Sequence, residues 1–225
     1  MGKSQFRSQE DWVRVFRAKG ALWRHDGVST RPHAKLPSGL HSDGFFNCQP
    51  IIDDDVLLRD VVSDLLAMLR EDFDIQEVDG VVGPAPGGTK LAEYISDQIM
   101  AYKREDCFFV SPTKFVSEKG KVSMVMTAED TILVNEASVI LCDDIYSGHT
   151  NIHLTEEAVR NCGGQVLTPV LVLANRSVFF ENGGLQIISL IDQSLATWNP
   201  DDCPLCQRGS PAVVPKGNWQ RLMAC

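Results

Sequence analysis

Residues 138–151 read Ser138-Val139-Ile140-Leu141-Cys142-Asp143-Asp144-Ile145-Tyr146-Ser147-Gly148-His149-Thr150-Asn151. The apolar run Val139, Ile140, Leu141 and Cys142 suits a strand buried on both faces, as in a parallel sheet. It delivers two neighbouring carboxylates, Asp143 and Asp144, before small and hydroxyl-bearing residues lead into a helical pattern. In open α/β sheets, ligands bind beyond the carboxyl ends of the strands. The turn Ser147, Gly148, His149, Thr150 and Asn151 therefore offers backbone N–H groups at a helix start, a cradle for an anion. Two acids beside such a cradle suit a phosphorylated sugar, whose hydroxyls need acceptors nearby. The plainer alternative is a buried strand followed by a solvated turn, because short motifs also match by chance.

Strand and helix patterns alternate on either side of this segment. Residues 9–19 read as an amphipathic helix, and short strand-like pieces follow around Leu22-Trp23 and Phe45-Phe46-Asn47. Asp53 is expected to open a strong helix with Val56, Leu58, Val61, Val62, Leu65, Leu66 and Leu69 on its apolar side; Asp53, Asp54 and Asp55 suit its dipole and cap. Further strands are expected at 78–82, 107–110, 139–142, 166–173 and 185–190, and helices at 89–100 and 151–161, the last stopped by Gly163-Gly164. This rhythm predicts an α/β fold with a doubly wound, mostly parallel sheet and right-handed crossovers. One domain spanning 1–225 is expected, with a core at about 53–195 and a hood from about 1–50 plus the tail 196–225.

The net charge of −9 over 225 residues argues against general nucleic-acid binding, which calls for a basic face. No run is long enough to span a membrane and the N-terminus lacks an apolar leader, so cytoplasmic residence is the expectation. Seven cysteines, an odd number, do not resemble a secreted disulfide framework.

A second turn of interest, Gly83-Pro84-Ala85-Pro86-Gly87-Gly88-Thr89-Lys90, follows the 78–82 strand. Gly87 and Gly88 would let backbone approach an anion closely before the next helix begins. Alone, it is equally a rigid turn that launches a helix. At the same sheet edge as the acid pair, it could hold the second phosphate end of one substrate.

The segment 138–151 resembles the phosphoribosyl pyrophosphate signature of type I phosphoribosyltransferases, a hydrophobic strand ending in two acids and a Thr/Ser/Gly phosphate loop. Other segments are similar to the orotate phosphoribosyltransferases in particular. These are the Gly83–Gly88 turn, the stretch Leu36-Pro-Ser-Gly-Leu-His-Ser-Asp-Gly-Phe-Phe-Asn47, and a strand ending in Arg176. Departures are Pro37, where many members carry Lys before Ser-Gly, and Asn175, where they carry Asp before Arg. The resemblance implies transfer of ribose-5-phosphate from phosphoribosyl pyrophosphate to a nucleobase, most simply orotate, in pyrimidine nucleotide biosynthesis, by a homodimer using Mg²⁺ held mainly by substrate. The alternatives are a phosphoribosyltransferase for a purine or modified base, and a non-catalytic sensor of the donor.

By that resemblance Asp143 and Asp144 would accept the ribose hydroxyls, and Ser147, Gly148, His149, Thr150 and Asn151 would hold the 5-phosphate. Ala85, Pro86, Gly87, Gly88 and Lys119 would bind pyrophosphate. Lys114 would act from a flexible lid spanning residues 111–127, which in the family often reaches the partner subunit. Arg176 would meet the base, its planar cation suiting an acidic ring. Phe45 and Phe46 would wall the base or simply pack in the core.

Cys203-Pro-Leu-Cys206 resembles half of a zinc knuckle. A structural zinc needs four ligands, so Cys225, a histidine such as His33 or His41, or another subunit would have to complete it. Free thiols are the alternative reading.

Overall fold

The apolar runs become parallel strands. In a computed structural model of the chain, which describes residues 6–148, 150–177 and 185–224, the central sheet runs in the order Ile187–Asp192, Val170–Asn175, Ser138–Tyr146, Gly80–Val82, Phe108–Val110, every neighbouring pair parallel. The Ser138–Tyr146 strand lies in the middle because it is apolar on both faces: Val139 and Leu141 pack into one cluster, Ile140 and Cys142 into the other. Helices cover both faces, as a parallel sheet requires. Asp55–Leu69 and Thr89–Lys103 cover one face, and Thr150–Asn161 the other. This is the expected doubly wound α/β architecture.

Local chemistry sets the helix ends. Ser8 and Asp11 form a reciprocal capping box on Gln9–Ala18, which buries Trp12 and Phe16 four residues apart. The Trp12 indole Nε1 donates to buried Asp64 at 3.0 Å. The helix expected from Asp53 starts at Asp55, because the Asp54 side chain accepts from Leu57 N and caps it. Gln49–Ile52 precedes it as a separate turn. Val56 was expected on the apolar side but is 73% exposed: it lies in the first turn, which overhangs the sheet.

Two further expectations need correction. The strand expected at 139–142 extends through both acids to Tyr146, so the carboxylates project from the strand's last turn of pleat. The strand expected at 166–173 divides into Gln165–Val166 and Val170–Asn175, since Pro169 lacks the N–H a continuous ladder needs. The stretch 111–127, expected as a flexible lid, carries a hairpin: Thr113–Val116 pairs antiparallel with Val122–Val125, closed around Gly120 with φ +76°. A short helix, Ala128–Val134, follows; the polar character of this region concealed it.

A second sheet overlies the carboxyl end of the first. Its order is Thr197–Trp198, His41–Ser42, His33–Lys35, Ala212–Val213, so an N-terminal pair of strands is flanked on each side by a strand from the C-terminal tail. Leu22–Arg24 pairs with Gly44–Phe46 beside it. Trp23, Ala34, Val213 and Leu222 form its small core.

Candidate active site

Where the two sheets face each other there is a cavity of about 770 Å³. Asp143 and Asp144 both line it. Successive strand residues point to opposite faces, so the two acids leave the strand toward different neighbours. Asp144 continues the face of Ile140 and Cys142 and sits against the Gly83–Gly88 turn. A Cβ on Gly87 would come within 3.0–3.1 Å of the Asp144 carboxylate, so the backbone approaches the acid as closely as glycine allows. Asp143 continues the opposite face, toward the helix Thr150–Asn161, and its carboxylate accepts from the Asn151 side chain. The Asp144 backbone N–H also donates to Asp143 Oδ1 at 2.8 Å.

Both acids resist ionisation. Asp143 is 4% exposed. Burial, and next the charge of Asp144, push its carboxyl well above the usual range, while N–H donors pull weakly the other way. Burial likewise raises Asp144. Two desolvated carboxyls with no cation against them among the described residues form a seat for hydroxyl donors or for positive charge.

Ser147, Gly148 and Asn151 line the cavity beyond the acids, and Gly148 takes φ +118°. Thr150 begins the helix Thr150–Asn161, so the loop ends at a helix N-terminus as read from sequence. His149 lies outside the described residues. Lys114 also lines the cavity, and its Nζ donates to Asn151 Oδ1 at 3.4 Å. The hairpin thus brings one cation to the Asn151 side of the acid pair. Lys119 sits on the exposed hairpin turn and is not a cavity residue of its own chain.

Ala85, Pro86, Gly87 and Gly88 are not among the cavity's lining residues; Gly87 lies beside Asp144, which is. The turn is fixed from behind: Ser111 Oγ donates to Gly83 O at 2.9 Å and lies 2.6 Å from Thr89 Oγ1, and Gly88 N donates to Pro84 O at 2.8 Å.

The opposite wall carries Phe45, Phe46 and Arg176. Phe46 is 1% exposed and meets Phe16 edge-on at 6.3 Å, and Phe45 meets Trp219 at 5.9 Å. Both aromatic rings are packing residues as well as wall. Arg176 follows the strand end, and burial lowers its pKa while Asp43 opposes the shift. Asn175, the departure noted above, donates to Asp192 Oδ1 at 3.0 Å and accepts from Ser177 N at 3.0 Å. It fixes the bend that presents Arg176.

Sequence reasoning missed Tyr146, Ser177, Leu195 and Thr197, which also line the cavity. Tyr146 was foreseeable had the strand been continued past the acids. Thr197 comes from the overlying sheet and Leu195 from the link leading into it, and neither carried a local signal.

No family model matches the chain. It is 27% identical over 208 residues to the orotate phosphoribosyltransferase of Desulforamulus reducens, covering 92% of this chain and 96% of that protein. The crystal structure of orotate phosphoribosyltransferase from Aeropyrum pernix matches with a TM-score of 0.53 at 20% identity, over 80% of this chain and 93% of that one. Adenine phosphoribosyltransferase from Saccharomyces cerevisiae matches with a TM-score of 0.57 at 14% identity, over 81% and 99% respectively. The two solved structures establish the fold and leave the base open, since their names specify different ones.

Proposed function

We propose that this chain, which shares its fold with type I phosphoribosyltransferases and nearly its whole length with curated orotate phosphoribosyltransferases, is itself such a transferase acting on orotate. It moves ribose-5-phosphate from phosphoribosyl pyrophosphate to the base, giving orotidine 5′-monophosphate and pyrophosphate. The observation that carries the reading is the acid pair in the cavity, between a glycine turn that touches Asp144 and a phosphate loop whose Asn151 holds Asp143.

The chemistry needs no protein nucleophile. Positive charge develops on the sugar as pyrophosphate departs, so the rate depends on holding the reactants in line and on complementary charge. Asp143 and Asp144 accept the ribose hydroxyls and favour that charge. The loop from Ser147 to Asn151 holds the 5-phosphate through its N–H groups, with Lys114 beside it. The Ala85–Gly88 turn faces the pyrophosphate end. Arg176 and Phe45 receive the base, and the overlying sheet excludes water.

The acid pair, short of positive charge, fits a divalent cation. Mg²⁺ would be held there mainly by substrate oxygens and water, and would supply charge to offset the departing pyrophosphate. The chain works as a homodimer in this reading. Phe115, Val116 and Val125 on the hairpin and Ile132 beyond it are exposed apolar residues suited to a partner surface, and Lys119 then serves the neighbouring site. Residues 53–195 form the catalytic core and the two ends the hood. No helix among the described residues is long and apolar enough to cross a membrane.

Pyrophosphate release from the donor with Mg²⁺, measured across orotate, uracil, hypoxanthine and xanthine, tests the assignment. Turnover with orotate is expected. Turnover with a purine alone would move the assignment to that base, and donor binding without turnover would make the chain a sensor.

A further inference from the structure

The overlying sheet holds a cluster that the transfer reaction does not use. His33 and His41, on adjacent strands of one antiparallel pair, meet Cys203 and Cys206 from the tail, with the four ligand atoms within 4.8 Å of one another. The register explains the histidine pair. His41 lies opposite Lys35, so His33 is its diagonal neighbour on the same face. Cys203 is the N-cap of the short helix Pro204–Gln207 and Cys206 lies within it, which brings both thiols to the histidines.

We propose that His33, His41, Cys203 and Cys206 bind one zinc ion tetrahedrally, stapling the C-terminal tail to the sheet above the active site.

Three observations carry this. The first is spacing. Zinc bonds of about 2.0–2.1 Å to nitrogen and 2.3 Å to sulfur place tetrahedral ligands roughly 3.3–3.8 Å apart. Here the His33 Nε2 to His41 Nδ1 distance is 3.1 Å, Cys206 Sγ lies 3.2 Å from His41 Nδ1, and both sulfurs lie 3.5 Å from His33 Nε2. These four distances sit at or just under the tetrahedral range, and the remaining pairs lie within 4.8 Å.

The second is the direction of a proton. Ser210 Oγ donates its only hydrogen to Arg31 O at 2.6 Å, so it accepts from His33 Nδ1, 2.8 Å away. That fixes the tautomer and leaves the Nε2 lone pair facing the other three ligands, as an outer partner does for a metal-bound histidine. The third is valence. A neutral imidazole has one lone pair and accepts one good hydrogen bond, yet three heavy atoms converge on His33 Nε2. A cation at the centre accounts for all three, and the cysteines are unbridged thiols.

The location gives the ion a purpose. His33 and His41 root the hairpin whose turn, residues 36–40, supplies Leu36, Pro37, Ser38 and Leu40 to the cavity wall. Pinning those roots to the tail, where Ala212–Val213 also pairs with the His33 strand, holds the wall in place. This last consequence rests on the proposed transferase activity; the metal site itself does not.

Elemental analysis of the full-length chain, purified with reductant and dialysed against a mild chelator, is expected to find about one zinc per chain. Cobalt exchanged into the wild-type protein should show the intense visible bands of a tetrahedral site with thiolate charge transfer. C203S/C206S should lose both signals, and a metal-stripped wild type should melt lower and regain its melting point with zinc. If the double variant does not fold, the wild-type cobalt spectrum still decides. Wild-type protein that neither carries zinc nor takes up cobalt tetrahedrally would overturn the proposal, as would a Cys203–Cys206 disulfide in protein kept reduced. Loss of transferase activity with every base would leave these readings untouched, so the two proposals fail separately.

Discussion

The sheet rim and the sheet that overlies it are built on opposite plans. At the rim, the acids, the phosphate loop and the helix behind it come from one continuous segment, and a single strand-turn-helix unit places them. Overhead, four short strands are drawn from distant parts of the chain: Thr197–Trp198 pairs with His41–Ser42, and Ala212–Val213 with His33–Lys35. A long buried strand is its own anchor. Strands of two or three residues are marginal without outside support, which is why a cross-link between chain ends belongs there. Damage to the rim should therefore appear in the chemical step, and damage overhead in base binding and stability.

The sharpest break of this contrast is D143N/D144N. Turnover should fall by at least roughly 10²–10³-fold, the range for removing preorganised charge stabilisation, with the fold retained. Both carboxyls have raised pKa values in the folded chain, so their protonated forms suit the fold and the stability they contribute declines as pH rises through those values. The double variant should therefore melt at or above wild type near neutral pH, measured calorimetrically. A marked drop in melting temperature would mean the acids hold the fold and not the substrate. By the same sign, kcat/KM should decline on the acid side at a pH above the ordinary carboxylate range, and N151A, which removes a donor to Asp143, should move that limb higher.

Gly87→Ala comes next. Its Cβ would press on the Asp144 carboxylate, and a displacement approaching 1 Å at a reacting centre costs on the order of 10²-fold. Initial-rate kinetics should show the loss as a higher donor KM together with a lower kcat. An unchanged enzyme would remove the turn from the pyrophosphate site.

Arg176→Lys keeps the charge but loses the planar fork. Losing one charge-assisted hydrogen bond, about 1.5–3 kcal/mol, predicts a KM for orotate higher by roughly 10–100-fold, with the donor KM steady. If the donor KM moved instead, Arg176 would belong to the phosphate half of the cavity. The smallest effect is expected overhead: Trp219→Phe removes the bond from Trp219 Nε1 to Gly20 O, 3.0 Å long, at a cost of about 1 kcal/mol. The melting temperature should drop by a few degrees while kcat holds.

What could be read ahead of the coordinates follows the same division. The order of strands and helices, the acid pair with its loop, and Arg176 at a strand end were legible because each depends on residues within a dozen positions. Local patterns missed where the local signal conflicted with distant contacts. The hairpin at 113–125 looked like a polar lid, because its apolar residues Phe115, Val116 and Val125 face outward and gave no buried alternation. Cys203 and Cys206 looked like half a site because the other half stands about 170 residues earlier.

The sequence by itself determined the arrangement at the rim, since a buried strand, an acidic end and a helix start are consequences of side-chain pattern along a continuous stretch. The tertiary structure alone decided what lies over it: which aromatic rings wall the cavity, that Asp144 meets Gly87, and that two histidines reach two cysteines. Pairing between distant short strands is set by the free energy of burying the whole core, and no local propensity encodes it.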